Sequence, residues 1–430
     1  MKIVLPPLAP RARVWVALSG GLDSTALLHL LHESGVPNLR AVHVHHGLQA
    51  AADGWARQVR GQCRALDVPL SVRRVRVDPR HGGGPEAAAR EARYAAFAAM
   101  LKAGDLLATA HHRDDQAETV LLRALRGTGI AGLAAMPVLA AFGAGRLWRP
   151  LLDQPRAELH RFAERRGLQW IDDPHNQDAR YARSYLRTEL MPRLGAHWPQ
   201  AAASLARLAQ RAADAEALVA ALASQDLLAL RVGDGWSVAG LLALDRVRRR
   251  NALYHAWVAM GWPAPAEARL ARLDEEILRA RGDAQPLLRH ESGEVRRFRD
   301  VLHFLPHLPP VPDQVLAWPA RRRALTLPAG LGELRLSRPS PLPLQVGFAR
   351  GGERLKPAAG RHSRSLKQLC QEAGIPPWVR VRMPLLLAGD ELLAIAGYWR
   401  SAKAVELGLD PEWQTTLAGA GSTGFSGKTG

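Results

Sequence analysis

Apolar positions in the first half of the chain recur with two periods that alternate. Val14-Trp15-Val16-Ala17-Leu18 is a short continuous apolar run, the text of a buried strand, while Ala26, Leu27, Leu30 and Leu31 within Ser24 to Ser34 fall at helical spacing. The alternation continues with a strand at Leu39 to His45, a helix at Asp53 to Leu66 and a strand at Leu70 to Val77. Pro85 opens a long helix to about Ala103, since a proline's missing N–H is harmless in a first turn. Asp105 to Ala110 reads as a strand, Asp114 to Leu125 as a helix, and Arg146 to Leu152 leads into a helix from Pro155 to Arg166. Strands alternating with helices predict a parallel α/β sheet.

The pattern then changes. From Trp198 to about Leu230 the chain is rich in alanine and leucine without strand punctuation, and helical spacing returns at Arg248 to Met260 and Glu267 to Ala280. The proline-rich Leu305 to Pro312 reads as a linker. Beyond it come strand-like pieces at Ala324 to Leu327 and Glu333 to Leu336, a basic helix around Ser365 to Gly374, then Pro376-Pro377-Trp378 and an apolar strand near Leu392 to Tyr398. Three domains are therefore expected: a catalytic α/β domain over 1–215, a mainly helical middle domain over 216–312, and a small α/β domain over 313–430. The glycine- and serine-rich tail after Ala418 is expected to be disordered.

Composition narrows the class. At 430 residues, 47% apolar and 23% charged, the chain has the balance of an ordinary globular protein with enough length for more than one core. No apolar stretch approaches the ~20 residues that span a bilayer, and the N-terminus lacks signal-peptide text, so a cytoplasmic address without membrane contact is expected. Cys63 and Cys370 stand far apart, which suggests neither a disulfide framework nor a cysteine zinc site. The net charge of +18 comes almost wholly from arginines spread along the chain. A polyanionic partner and a generally arginine-rich surface both account for it.

The strongest chemical signal is Ser19-Gly20-Gly21-Leu22-Asp23-Ser24, set where the first strand turns into the first helix. Glycines there adopt turn geometry closed to other residues, and unpaired N–H groups at the positive helix end face an anion. The serine hydroxyls add donors, and Asp23 is placed to hold Mg²⁺ against phosphates. A bare Ser-Gly-Gly is common in loops; the strand before it, the helix after it and the Asp-Ser close favour phosphate binding. The ordinary nucleotide P-loop is a different text, and Gly427-Lys428-Thr429 lacks its first glycine, Ser422 standing there instead.

The loop resembles that of the N-type ATP pyrophosphatases, which implies a Rossmann-like fold of the adenine nucleotide alpha hydrolase type and cleavage of ATP between its α and β phosphates. Further segments narrow the resemblance. They are Val42-His43-Val44-His45-His46-Gly47-Leu48, Ala52-Asp53 with Trp55, Glu86 with Ala89-Arg90 and Arg93-Tyr94, His111-His112-Arg113-Asp114-Asp115-Gln116-Ala117-Glu118-Thr119, Arg126-Gly127-Thr128-Gly129 and Arg149-Pro150-Leu151-Leu152. In this order, and with Gly351-Gly352-Glu353-Arg354 through Trp378, they are similar to the tRNA(Ile)-lysidine synthetase family over nearly the whole chain, the middle domain matching least distinctively.

Members of that family adenylate carbon-2 of the wobble cytidine in the CAU anticodon of a minor isoleucine tRNA and then join lysine there. The resemblance implies ATP as co-substrate with Mg²⁺, isoleucine tRNA and L-lysine as partners, nucleotide contacts from Ser19 to Ser24, Val42 and His112, and substrate contacts from Arg183 and Arg187. His175 and Ser184 depart from the family pattern, so no role is carried over to them. A tRNA thiolase of the same superfamily and a catalytically idle tRNA-binding protein are the rival readings. The oligomeric state stays open, a homodimer being one possibility.

Asp114, Asp115 and Glu118 share a helix face near its positive N-terminus. A solvated acidic first turn would look the same, but this turn follows a parallel strand, beyond whose carboxyl end ligands of such sheets bind. Metal binding and a lysine ammonium pocket both suit it, and Asp23, Asp115, Glu118, Arg183 and Arg187 are the residues expected to carry the chemistry. His43, His45, His46 and His111 lack the spacing of a zinc site. Arg354, Lys356, Arg361, Arg364 and Lys367 form a basic strip suited to tRNA phosphates.

Overall fold

The computed structural model describes residues 3–47, 52–78, 84–172, 182–281, 284–358, 360 and 362–417, with the side chains of Pro85 and Glu86 excepted. Leu48, His175 with its neighbours Asn176 and Asp178, Arg361 and the tail after Ala418, Gly427 to Thr429 included, lie outside the described residues, as does the Glu86 side chain. The chain divides into two compact units, Met1–Val219 and Ala220–Gly430.

The first unit is built on a six-stranded sheet in the order β3-β2-β1-β4-β6-β5. Its strands are β1 (Val14–Ala17), β2 (Leu39–His45), β3 (Leu70–Arg74), β4 (Leu106–Ala108), β5 (Leu139–Phe142) and β6 (Gly145–Trp148). All neighbours pair in parallel except β5, which runs antiparallel to β6. The apolar run of β1 is explained by burial on both faces. Val14 and Val16 point into a core with Leu27, Leu31, Val59, Leu159 and Phe162, whereas Trp15 points to the other side, among Val42, Phe97, Leu107 and Leu147. Fully burying each such side chain contributes about 1.5–3 kcal/mol.

Helices α1 (Leu22–Glu33), α2 (Ala52–Ala65), α3 (Gly84–Met100), α4 (Arg113–Ala124), α5 (Ile130–Leu133) and α6 (Arg156–Arg165) accompany the sheet. The expected strands and helices up to Arg166 are present with ends shifted by a few residues. The strand β5 is an addition; its Leu-Ala-Ala-Phe text has no alternation to betray an edge strand. Because β1 lies between β2 and β4, the strand order reverses there, and the crevice at their carboxyl ends is where ligands of such sheets bind. After α6, α7 (Ala182–Tyr185) runs into a π-helical turn at Leu186–Leu190, then α8 (Met191–His197) and α9 (Ala201–Ala229). Ala209 of α9 packs with Val120 of α4 and Ala135.

The second unit contains the helices expected at Arg246–Ala259 and from Glu267, the latter passing into a π-helical turn at Leu273–Leu278. The same stretch also carries a five-stranded antiparallel sheet that includes Leu287–His290, Gly293–Phe298 and Val301–Leu305. These strands escaped the sequence pattern because arginines interrupt their alternation, as in Gly-Glu-Val-Arg-Arg-Phe. The C-terminal part is strand-rich, with a second five-stranded sheet, a three-stranded sheet containing Ala324–Thr326 and Glu333–Leu336, and a basic helix at Leu366–Glu372. That helix begins with a capping box between Ser365 and Gln368. The proline-rich linker is packed rather than free: Leu305 and Leu308 join the core around Leu366 and Trp378, and Arg382 Nε donates to Pro309 O at 2.7 Å.

Candidate active site

The Ser19–Ser24 loop is held by its own serine hydroxyls and leaves the start of α1 without a side-chain cap. Gly20 has φ +93°, and a Cβ there would meet Ile171 Cδ1 at 2.4 Å and Val59 Cγ2 at 3.0 Å, so only glycine passes. Gly21 is the N-cap of α1 and offers no side chain to its first turn, which leaves the leading N–H groups for a ligand. Ser24 Oγ donates to Gly21 O at 3.0 Å and accepts from Gly20 N at 3.2 Å, while Ser19 Oγ accepts from Gly21 N at 3.3 Å. Thr25 Oγ1 donates to Gly20 O at 3.2 Å and locks the turn from beneath, a contact the sequence did not suggest. The Leu22 side chain is core, so its share in the loop is its main chain.

Asp23 stands at the mouth of this loop. Its Oδ1 is buried and accepts no hydrogen bond, although Arg156 Nε lies 3.6 Å away. Burial pushes its pKa up, and His112 and Arg156 oppose that shift in part. An orphaned carboxylate oxygen beside a phosphate loop suits Mg²⁺, which takes one or two carboxylates and leaves its other positions to phosphate and water. Among the described residues there is no cluster of three His, Cys, Asp or Glu that would cage a metal by itself.

From Asp23 a chain of contacts leads to the acidic helix. His112, 1% exposed, is the N-cap of α4: its Nδ1 accepts from Asp115 N at 3.3 Å, and Asp115 Oδ2 accepts from His112 N at 3.1 Å. The other ring nitrogen, Nε2, faces Asp115 Oδ2 at 3.3 Å and Asp23 Oδ2 at 3.8 Å. Asp114 turns elsewhere, accepting from Arg156 N at 2.9 Å in the first turn of α6.

The face formed by Asp115 and Glu118 meets two guanidinium groups. Glu118, with 2% of its side chain exposed, accepts from Arg183 Nε at 2.9 Å and from Arg187 Nε at 2.8 Å. Asp115 Oδ1 accepts from Arg187 Nη2 at 2.7 Å and from Arg183 Nη2 at 3.3 Å. Burial would push the Asp115 carboxyl up, but His112, Arg183, His111 and Arg187 together hold it below the usual range. Arg183 lies in α7 and Arg187 in the π-helical turn, a wide helical form that recurs at functional sites. About a third of the Arg187 side chain, 34%, stays exposed to a ligand.

The remaining residues line or support this crevice. Val42 is wholly buried among Trp15, Phe97 and Leu107, and its carbonyl accepts from Leu18 N at 2.8 Å, so its side chain forms floor rather than contact surface. His43 Nδ1 and Leu18 O lie 2.8 Å apart, and His46 Nε2 accepts from Arg93 Nε at 3.2 Å. Burial pushes His46 down to about 4 and His111 down to about 3, so both rings are neutral at pH 7. Arg156 is the charged neighbour that sequence reasoning missed; an arginine opening a helix far from the loop gives no local signal.

In the second unit, Arg354, Lys356, Arg364 and Lys367 are all exposed around the paired strands Arg354–Leu355 and Arg364–Ser365. Trp378 is core, edge-on to Phe298 and His303 with Arg296 over its ring, and is closed to base stacking.

Three family models match the chain: a PP-loop domain over residues 2–194, a TilS substrate binding domain over 237–303 and a TilS substrate C-terminal domain over 344–416. Among solved structures, the U34-tRNA thiolase NcsA of Methanococcus maripaludis is 20% identical with a TM-score of 0.38, covering 47% of this chain and 72% of its own. The tRNA(Ile)-lysidine synthase of Pseudomonas aeruginosa is 47% identical over 411 residues, 91% of this chain and 92% of that protein. That of Alkalilimnicola ehrlichii is 45% identical over 406 residues, 91% of each chain. Identity of this extent over about nine-tenths of both chains makes the chain a member of the tRNA(Ile)-lysidine synthase family.

Proposed function

We propose that this protein uses ATP to join L-lysine to carbon-2 of the wobble cytidine in the CAU anticodon of a minor isoleucine tRNA, giving lysidine and changing codon reading from AUG to AUA. The observation that carries the reading is the unbroken run of contacts from the phosphate loop through Asp23, His112 and Asp115 to Arg187, which joins an anion-binding turn to a cluster of both charges. It is supported by the relatedness to lysidine synthases over most of both chains.

In the first step, the β and γ phosphates lie against the Ser19–Ser24 loop and cytidine O2 attacks the α phosphorus. The O2–P bond forms as the bond to the β phosphate breaks, and pyrophosphate leaves. Mg²⁺, held by Asp23, would offset charge on the phosphates. Adenylation turns a carbonyl oxygen into a leaving group. In the second step, the side-chain amine of lysine attacks carbon-2 and AMP departs, the amine losing a proton. The protein contributes positioning and charge complementarity. Lysine brings ammonium groups and a carboxylate, and the quartet of Asp115, Glu118, Arg183 and Arg187 presents both signs to it.

The reading assigns a three-part division of labour: catalysis to 1–215, tRNA contact to 216–312, and further tRNA contact to 313–430 through its basic strip. A sulfur-carrying thiolase is disfavoured, since Cys63 and Cys370 are both buried and burial pushes each thiol up to about 11. Among the described residues no helix is long and apolar enough to cross a membrane. Mass analysis of the tRNA anticodon fragment after incubation with ATP and lysine tests the reading. A gain of lysine less water supports it; an unchanged fragment with active, folded protein overturns it.

A further inference from the structure

The outer face of α2 and the edge strand β3 carry a basic surface that the steps above do not use. Arg57, Arg60 and Arg64 recur along one side of α2, flanking the face of Ala56, Val59 and Cys63, which are buried. All three arginines are exposed, as are Arg73 and Arg74 at the end of β3 and Arg76 just beyond it. Alternation along β3 puts Leu70, Val72 and Arg74 on the side facing α2, and Arg74 Nη2 accordingly lies 3.5 Å from Asp53 Oδ1 at the start of that helix. Arg57, Arg60, Arg64, Arg73 and Arg76 form no ion pair among the described residues. Between the two elements lies a cavity of about 340 Å³ lined by Arg60, Arg64 and Asp67 together with Cys63, Val68, Pro69, Leu70 and Val72.

We propose that this face is a second tRNA contact, in which the sugar-phosphate backbone of the strand bearing the reacting base crosses Arg57, Arg60, Arg64 and Arg74 and sets one ribose phosphate into the cavity. Resting on the reading of tRNA as substrate, the inference adds where the nucleic acid runs. The chemistry is complementary: guanidinium forks match phosphate oxygens bidentately, and the aliphatic floor suits the apolar side of a ribose. Position agrees as well. β3 is parallel to β1 with only β2 between them, so its carboxyl end shares a rim with the phosphate loop at a distance of roughly 10 Å, two strand spacings. From that rim α2 runs back towards the amino end of β3, so a polynucleotide whose base enters the crevice at β1 and β4 would leave over Arg74 and descend past Arg57, Arg60 and Arg64 to the cavity. A small anion would need one arginine pair, whereas arginines spread from Arg57 to Arg76 suit an extended chain of charges.

The test compares wild type with the combined variant Arg57→Gln, Arg60→Gln, Arg64→Gln, Arg74→Gln in tRNA binding over a range of salt. For each phosphate of this single-stranded segment that the variant leaves unneutralised, the slope of log affinity against log salt becomes shallower by about 0.7. A slope lower by about two or more, with ATP still bound, is the expected result; an unchanged slope overturns the proposal. Should the variant not fold, amide exchange of wild-type residues 52–78 with and without tRNA decides, slowing being expected and no change overturning it. Lysidine formation by the wild type is measured in parallel, so that failure of the functional reading is distinguished from failure of this surface.

Discussion

Arg187 spans both carboxylates of the acidic helix, its Nε 2.8 Å from Glu118 Oε1 and its Nη2 2.7 Å from Asp115 Oδ1. The acidic face is therefore neutralised from within, and a ligand entering there meets a preset arrangement of both signs. Removing one buried charge from such a network leaves its partners incompletely paired, which is costly.

The first prediction concerns that pairing. Glu118→Gln should weaken lysine by about ten-fold or more, because it weakens the charge-assisted hydrogen bonds that hold Arg183 and Arg187 in place, each contributing ~1.5–3 kcal/mol. Adenylation of cytidine, which lysine does not enter, should change little. Single-turnover trapping of radiolabelled AMP on tRNA, followed by discharge with lysine, separates the steps. Absence of the adenylate would move Glu118 to the ATP side of the reaction.

Asp23→Ala and Ser24→Ala should abolish adenylate transfer yet leave tRNA affinity within a few-fold. The reason is local: Ser24 Oγ ties Gly20 and Gly21 together, and Asp23 Oδ1, which accepts no hydrogen bond, stands beside the loop. A filter assay showing equal loss of tRNA binding in folded protein would contradict it.

Acid should destabilise the first unit through its buried imidazoles. His46 and His111 titrate at about 4 and about 3 in the folded protein, against 6.5 for an unperturbed imidazole. Between those values the unfolded chain binds the extra protons, so stability contributed by the neutral rings is full above about pH 6.5 and is lost as pH falls through that window. Urea unfolding at pH 7 and pH 5 should show the decline, and His111→Asn should flatten it. An identical pH dependence in the variant would show that His111 is not its source.

Neutralising the C-terminal strip tests its contribution to tRNA binding. Truncation near Pro312 would strip the core that Leu305 and Leu308 share with Leu366, so Arg354→Gln, Lys356→Gln, Arg364→Gln and Lys367→Gln are preferable. Weaker tRNA binding with a shallower salt slope is expected, ATP binding being retained. An unchanged slope would place the tRNA contacts elsewhere.

What the sequence made legible was local. The loop, the strands with continuous apolar text and the acidic helix follow from short-range spacing, as at Val14 to Ser24. The partners of Glu118 were out of reach, because Arg183 and Arg187 stand 65 and 69 residues away and only folding brings them together. The same holds for Asp114, whose spacing groups it with Asp115 but whose carboxylate serves the first turn of α6. Short strands such as Leu139–Phe142 are fixed by pairing to a neighbour rather than by their own text.

The two glycines of the loop provide the sharpest contrast between strain and contact. Gly20 holds φ +93°, closed to a side chain without strain, and a Cβ would fall 2.4 Å from Ile171 Cδ1 and 3.0 Å from Val59 Cγ2, both at the base of the loop. Gly21 holds φ −70°, ordinary for any residue, and a Cβ there would find Ser19 Oγ at 3.6 Å and Ile171 O at 3.7 Å, normal contacts. Gly20→Ala should therefore destabilise the first unit by ~1–3 kcal/mol, the scale of a strained backbone position, and reduce AMP formation with it. Gly21→Ala should keep wild-type stability, so any loss of activity it shows must come from a methyl group at the open end of α1, where the phosphates would approach. Urea unfolding set beside AMP formation separates the cases. Equal destabilisation by the two variants would mean that the loop relaxes around either methyl, and that Gly20 is required for ligand approach rather than for the turn.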